Sequence, residues 1–181
     1  MVPAAGLGAF ALFFLSDYND WKLRRKELRL CFPLGTLLLL AGTATGCAAG
    51  TPPLHGLPRL AALILAAAFA ALLVYTLFFA LPAGASYAHP GEDRPVCAGG
   101  VYALCRHPGV LWFAAAYLCL WGGYGFPLWA AAAYTALDVL LVVFEDGWVF
   151  PARLSGYDDY RRATPFLLPN RSSLRAFFAR S

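Results

Sequence analysis

Arg106 and His107 stand directly before Pro108, at the head of an uncharged run that continues to Leu137, and Glu145 and Asp146 close the apolar stretch beyond it. Proline suits the first turn of a helix, where its missing N–H has no partner to lose. A helix starting there points the positive end of its dipole back at Arg106, and together they form a corner that receives an anion such as a carboxylate or a phosphate. The opposite charge comes from Glu145 and Asp146. A carboxylate at the end of an apolar run is costly unless paired or wetted, so these two are expected to hold an ammonium group or to pair with Arg106. Asp138 lies seven residues before Glu145, hence two turns deeper on the same helical face and about 10 Å away along the axis. It has two readings, a hydrogen bond to an interior hydroxyl such as Tyr134 or a place in a substrate cavity. The plainer reading of the basic pair makes Arg106 a snorkelling anchor and His107 a capping group.

For these groups to meet, the chain between them must fold back. Leu111 to Phe150 is predicted to form a helical hairpin turned by Gly122-Gly123-Tyr124-Gly125-Phe126-Pro127. Its arms of about 16 and 20 residues span about 24 and 30 Å, which returns both ends to one side. Ala114 to Ala116 and Ala130 to Ala133 supply small side chains that let two helices approach closely in lipid. Two charged patches bracketing an apolar hairpin describe a reaction site at a membrane surface.

The rest of the chain agrees with that setting. Of 181 residues, 60% are hydrophobic and 13% charged, and the mean hydropathy is +0.61, values outside the range of a soluble domain. The pattern predicts an all-α polytopic bundle of about five transmembrane helices, near 3 to 16, 32 to 50, 60 to 81, 109 to 123 and 128 to 149. It is expected to be one membrane domain over 1 to 181, with N-terminal helices in 1 to 81 and a functional core in 82 to 181. The first apolar stretch has no basic residue before it and Lys22, Arg24, Arg25, Lys26 and Arg29 after it, which argues against a cleaved signal peptide and for an external N-terminus. Loops 17 to 30 and 82 to 108 and the tail from 150 then face the cytoplasm. They hold thirteen of the fourteen Lys and Arg residues, all but Arg59, as a consistent topology requires. The net charge of +4 is accounted for by anionic lipid headgroups and calls for no nucleic-acid partner.

Tyr157 and Tyr160 come next at i, i+3, then Arg161-Arg162 and two prolines, Pro165 and Pro169; Leu174 to Phe178 is predicted to form an interfacial amphipathic turn. The five cysteines, Cys31, Cys47, Cys97, Cys105 and Cys119, contain no CxxC pair and suggest neither a disulfide framework nor a metal site. Cys105, next to Arg106, is the one candidate reactive thiol.

Taken together, Gly100-x-Tyr102-x-x-x-Arg106-His107-Pro108, the hairpin, Glu145-Asp146 and Tyr157-x-x-Tyr160 with Pro165 and Pro169 resemble the integral membrane methyltransferases related to isoprenylcysteine carboxyl methyltransferase, with phospholipid methyltransferases more distant. The resemblance covers about 97 to 169. It implies a helical membrane enzyme with a cytoplasmic pocket for S-adenosylmethionine, bound by Gly100, Tyr102, Arg106, His107, Pro108, Glu145, Asp146, Tyr157 and Tyr160. Arg106 and Glu145 would orient a lipophilic or small acceptor bearing a thiol, carboxylate or amine, and His107 or Glu145 would take a proton from an amine. The chain departs from the family pattern at Val110, Trp112, Asp146 and Arg153-Leu154; a bulky Trp112 beside the cofactor is expected to lower or abolish turnover. Two other expectations stand beside this one. Membrane sterol and steroid reductases share an Arg-His-Pro-like stretch and use NADPH, and a relative that kept the fold can have lost turnover.

Overall fold

The computed structural model describes residues 2 to 80 and 94 to 180. Five long helices run alternately in opposite directions: α1 (Val2–Tyr18), α2 (Cys31–Ala49), α3 (Gly56–Val74), α4 (Pro108–Tyr124) and α5 (Leu128–Phe144). Three helical stretches, Glu27–Ala49, Gly56–Phe79 and Leu128–Arg153, are long and apolar enough to cross a membrane. α2 packs along α1, α3 along α4, and α5 lies against both α1 and α4.

Small residues set these approaches. A Cβ on Gly42 of α2 would come within 2.7 Å of the Cβ of Ala5, so glycine there lets α1 and α2 pack at close range. The hairpin turn is tighter than the predicted six-residue stretch. α4 continues through Gly122 and Gly123 to Tyr124, and Gly125 stops it in the left-handed region at φ 76°, with its N–H donating to the Trp121 carbonyl at 2.9 Å. At the end of the bundle holding this turn, Arg59 donates from Nε to the Gly123 carbonyl at 3.0 Å, which places the one outlying basic residue opposite all the others. The core nearest the turn is aromatic. Phe10, Tyr117, Phe126 and Tyr134 are buried against one another, the Tyr117 and Thr43 hydroxyls lie 2.6 Å apart, and the Tyr134 hydroxyl donates to the Val2 carbonyl.

The other end carries the irregular structure. α1, α3 and α5 each run there into a single π-turn, at Asn19–Leu23, Tyr75–Phe79 and Glu145–Val149. The segment 17 to 30, read from sequence as a loop, is folded. Asn19 closes it by accepting from the Arg25 N–H at 2.8 Å and donating to the Arg25 carbonyl at 3.0 Å, and a 3₁₀ turn at Glu27–Leu30 leads into α2. Of the predicted connection 82 to 108, residues 82 to 93 lie outside the described residues. From Arg94 onward the chain departs from a purely helical reading: β1 (Arg94–Pro95) pairs in parallel with β2 (Leu154–Ser155), a two-residue ladder between the short α6 (Phe150–Arg153) and α7 (Tyr157–Ala163). Gly156 at φ 79° makes the turn out of β2. The tail ends in α8 (Arg171–Arg180), longer than the turn expected. Asn170 caps it, its Oδ1 accepting the Ser173 N–H and its own N–H donating to Ser173 Oγ, both at 2.9 Å.

Candidate functional site

Adjacent residues on a helix point about 100° apart, so Glu145 and Asp146 lead to different sides, with the His107 ring between them. Both are buried, at 5% and 4% exposure, and each serves a different neighbour. They begin the π-turn that ends α5, a widened turn of a kind frequent at functional sites.

Asp146 is the hub. Arg106 donates to it twice, Nε to Oδ1 at 2.7 Å and Nη2 to Oδ2 at 3.2 Å. The Tyr157 hydroxyl donates to Oδ1 at 2.6 Å, His107 Nε2 stands 3.2 Å from the same oxygen, and Arg161 Nε lies 3.4 Å from Oδ2. A carboxylate offers about four lone-pair positions, and these partners occupy them. Arg106 is committed in the same way. Its Nη1 donates to the Arg161 and Thr164 carbonyls at 3.0 and 2.7 Å, which leaves one of its five N–H groups, on Nη2, for anything else. The backbone N–H groups of Arg106 and His107 donate to the Pro165 and Phe166 carbonyls at 2.9 and 3.3 Å, so the proline-bearing tail lies alongside the start of α4.

His107 occupies the N-cap position of α4 but makes no capping hydrogen bond with its side chain. Its ring stacks on Phe150 and meets the edge of Phe166. Facing a carboxylate that only accepts, Nε2 carries the proton, and Nδ1 is left bare 3.8 Å from Glu145 Oε2. Burial holds the His107 pKa below its ordinary value, with the attraction of Asp146 opposing it. Glu145 turns to the opposite side and is hydrogen-bonded to Asp17 at the end of α1. Tyr160 donates to the Tyr102 carbonyl at 2.7 Å, and the Tyr102 hydroxyl donates to the Thr76 carbonyl at 2.8 Å, tying α7 through the 100 to 103 turn to the end of α3. Burial raises the pKa of Tyr157 and Tyr160, so both hydroxyls keep their protons.

These groups form the polar end of a cavity of about 400 Å³ that continues between the helices, with an almost wholly apolar lining. Of the nine residues named from sequence for the cofactor, all line it except Gly100 and Asp146. Gly100 begins the 3₁₀ turn at φ 55°, and a Cβ there would touch nothing within 4 Å, so it shapes the turn that carries Tyr102 without reaching the wall. Asp146 sits behind the wall, enclosed by its donors. The capping and anchoring readings of His107 and Arg106 give way to this cluster. Asp138 lines the cavity; the Tyr134 hydroxyl proposed as its partner is taken by Val2. Val110 is also on the wall, but Trp112 faces away and stacks on Phe69 of α3 at 6.2 Å, so the expected obstruction by Trp112 does not arise. All five cysteines are free, and burial pushes the Cys105 thiol up to about 11, contrary to a reactive nucleophile.

Sequence reasoning missed Asp17. Its one signal was an acid placed directly where an apolar run ends, the feature that singled out Glu145. No family model, curated protein or solved structure matches the chain.

Proposed function

We propose that this protein is an S-adenosylmethionine-dependent membrane methyltransferase that acts on a lipophilic or small acceptor at the cytoplasmic face. The observation that carries the reading is convergence: the Arg106-His107-Pro108 block, the Glu145-Asp146 pair and the Tyr157/Tyr160 block, separated in sequence, meet at one end of one cavity. All five long helices cross the bilayer in this reading. α1 and α4, at 17 residues each, extend about 26 Å, close to the thickness of the hydrocarbon layer, and local thinning accommodates the difference. The end that carries every Lys and Arg but Arg59 is the cytoplasmic one.

The residues present fit the cofactor in size and charge. A cavity of about 400 Å³ falls in the range of small-molecule sites. The carboxyls of Glu145 and Asp17 suit a cationic ligand, and half-exposed Arg161 with the remaining Nη2 proton of Arg106 suits a carboxylate. When bound, the cofactor supplies a methyl group on a cationic sulfur, which needs an aligned nucleophile more than an acid. Orientation therefore supplies most of the catalysis. Arg106 acts in this scheme as a positioning residue, because its donors hold Asp146 and the tail. Glu145 faces the ligand, and neutral His107 presents Nδ1 as a proton acceptor.

Titration calorimetry of the purified chain in detergent tests the proposal. Wild type is expected to bind S-adenosylmethionine, and Glu145→Gln and Arg161→Ala each to weaken binding by roughly tenfold or more, about 1.4 kcal/mol. Wild-type affinity in both variants, or binding of NADPH with none of S-adenosylmethionine, overturns it.

A further inference from the structure

The tail carries a patterned surface that the cavity does not use. After Asp159 the chain has five arginines, Arg161, Arg162, Arg171, Arg175 and Arg180, and no acid. Two of them lie on the outer face of α8. At about 100° per residue, Arg171, Leu174, Arg175 and Phe178 fall on one side of this helix, the arginines along one flank and the apolar pair along the other. All four are exposed, Leu174 by 42% and Phe178 by 75%. Ser173, Ala176 and Phe177 take the opposite side, where Ser173 is buried and the other two are half-buried.

This surface stands beside the membrane entry of α4. The Phe166 carbonyl accepts the His107 N–H at the head of α4, and the chain from Phe166 to Asn170, which caps α8, reaches at most about 14 Å. α8 itself lies against the 3₁₀ turn Gly100–Ala103. An arginine flank beside an apolar flank is the pattern of a helix that lies in the headgroup layer: leucine and phenylalanine enter the acyl boundary while the guanidinium groups stay with the phosphates. Anionic lipid is the complement of a tail segment that holds arginines and no acid. The turn on which α8 rests carries Tyr102, a residue of the cavity wall, whose carbonyl accepts from Tyr160 and whose hydroxyl donates to the Thr76 carbonyl. Whatever holds α8 therefore also holds that wall.

We propose that the outer face of α8 docks on anionic lipid of the bilayer surface, Arg171 and Arg175 meeting the phosphate groups and Leu174 and Phe178 the acyl boundary, and that this contact steadies the Tyr102 turn. It rests on the placement of this end at the cytoplasmic headgroup layer given above, and not on methyl transfer. The cytoplasmic leaflet supplies the negative charge that the arginines meet. In a neutral bilayer the spanning helices are unchanged, but α8 is less firmly held and the wall at Tyr102 is looser.

The test uses the full chain in lipid nanodiscs, made of phosphatidylcholine alone or of equal parts phosphatidylcholine and phosphatidylglycerol, with amide hydrogen exchange read by mass spectrometry. Exchange over 171 to 180 should be at least about fivefold slower in the anionic discs, and exchange over 100 to 103 should slow in the same direction. Arg171→Gln/Arg175→Gln, a change at two exposed positions that should leave the unfolding midpoint in place, should remove both differences. Lys26→Gln/Arg29→Gln, also exposed and at the same end, should leave them. Equal exchange in the two discs, which gives this face to an occupant other than lipid, or an unchanged difference in Arg171→Gln/Arg175→Gln, overturns the docking; slowing over 171 to 180 alone overturns the link to Tyr102. The methyl-transfer reading fails separately. Lipid-dependent exchange without S-adenosylmethionine binding upholds the docking and removes methyl transfer, whereas binding without lipid-dependent exchange does the reverse.

Discussion

The Arg106–Asp146 pair can be tested by removing one charge and then the other. The two side chains expose only 9% and 6% of their surfaces, so each depends on its partner and not on water. In Asp146→Asn the amide keeps one acceptor for Arg106 but leaves the guanidinium uncompensated. Breaking a buried pair in this way costs about 3 to 5 kcal/mol, and the retained acceptor argues for the lower figure. In a chain of 181 residues, about 3 kcal/mol corresponds to a fall of about 6 to 12 °C in the unfolding midpoint. Adding Arg106→Met removes the stranded cation, so the double variant should unfold no earlier than Asp146→Asn alone, although the Arg161 and Thr164 carbonyls then lose their donor. Differential scanning fluorimetry on the purified proteins reads both effects. Asp159→Asn is the control, since the Asp159–Arg162 pair is 88% and 80% exposed and should show no measurable shift. A fall smaller than about 2 °C in Asp146→Asn, or simple addition of the two substitutions, would refute the view of Asp146 as a buried hub.

The same structure leads to three other expected outcomes. His107 is held below its unfolded pKa of 6.5, so the stability linked to its neutral form is complete above pH 6.5 and is lost as pH falls below that value; the unfolding midpoint should drop between pH 7.5 and 5.5, and His107→Gln should flatten the drop. Trp112 Nε1 is buried without a hydrogen-bond partner among the described residues, so in Trp112→Phe the relief of that donor offsets the lost ring area; stability should move by less than about 1 kcal/mol and S-adenosylmethionine affinity by less than about twofold, as titration of the variant will show. A Cβ at Gly125 would lie 2.3 Å from the carbonyl of Thr51 and would also have to tolerate φ 76°, so Gly125→Ala should fail to give a monodisperse peak in size-exclusion chromatography of the solubilised protein.

Much of the architecture was legible because it depends on local properties. Apolar runs of a given length, Pro108 at a helix start and the glycine-rich turn at 122 to 127 located five helices to within a few residues. α3 begins four residues ahead of its expected start, since Pro58 is tolerated in a first turn. Adjacency in sequence also identified the paired acids. It did not say which acid meets Arg106, because that depends on how the π-turn after Phe144 aims two neighbouring side chains.

Residue types and their order by themselves determined an apolar helical chain, a hairpin that returns its ends to one side, and the candidates Arg106, His107, Glu145, Asp146, Tyr157 and Tyr160. The tertiary structure decided their division of labour. Arg106 pairs with Asp146, Glu145 turns to Asp17, Asp138 and Val110 face the cavity, and Trp112 turns to Phe69. Hydrophobic periodicity reports which face of a helix is buried, but not which neighbour lies across it. That depends on contacts between segments far apart in the chain, such as α1 against the end of α5, and it appears only when the helices are packed.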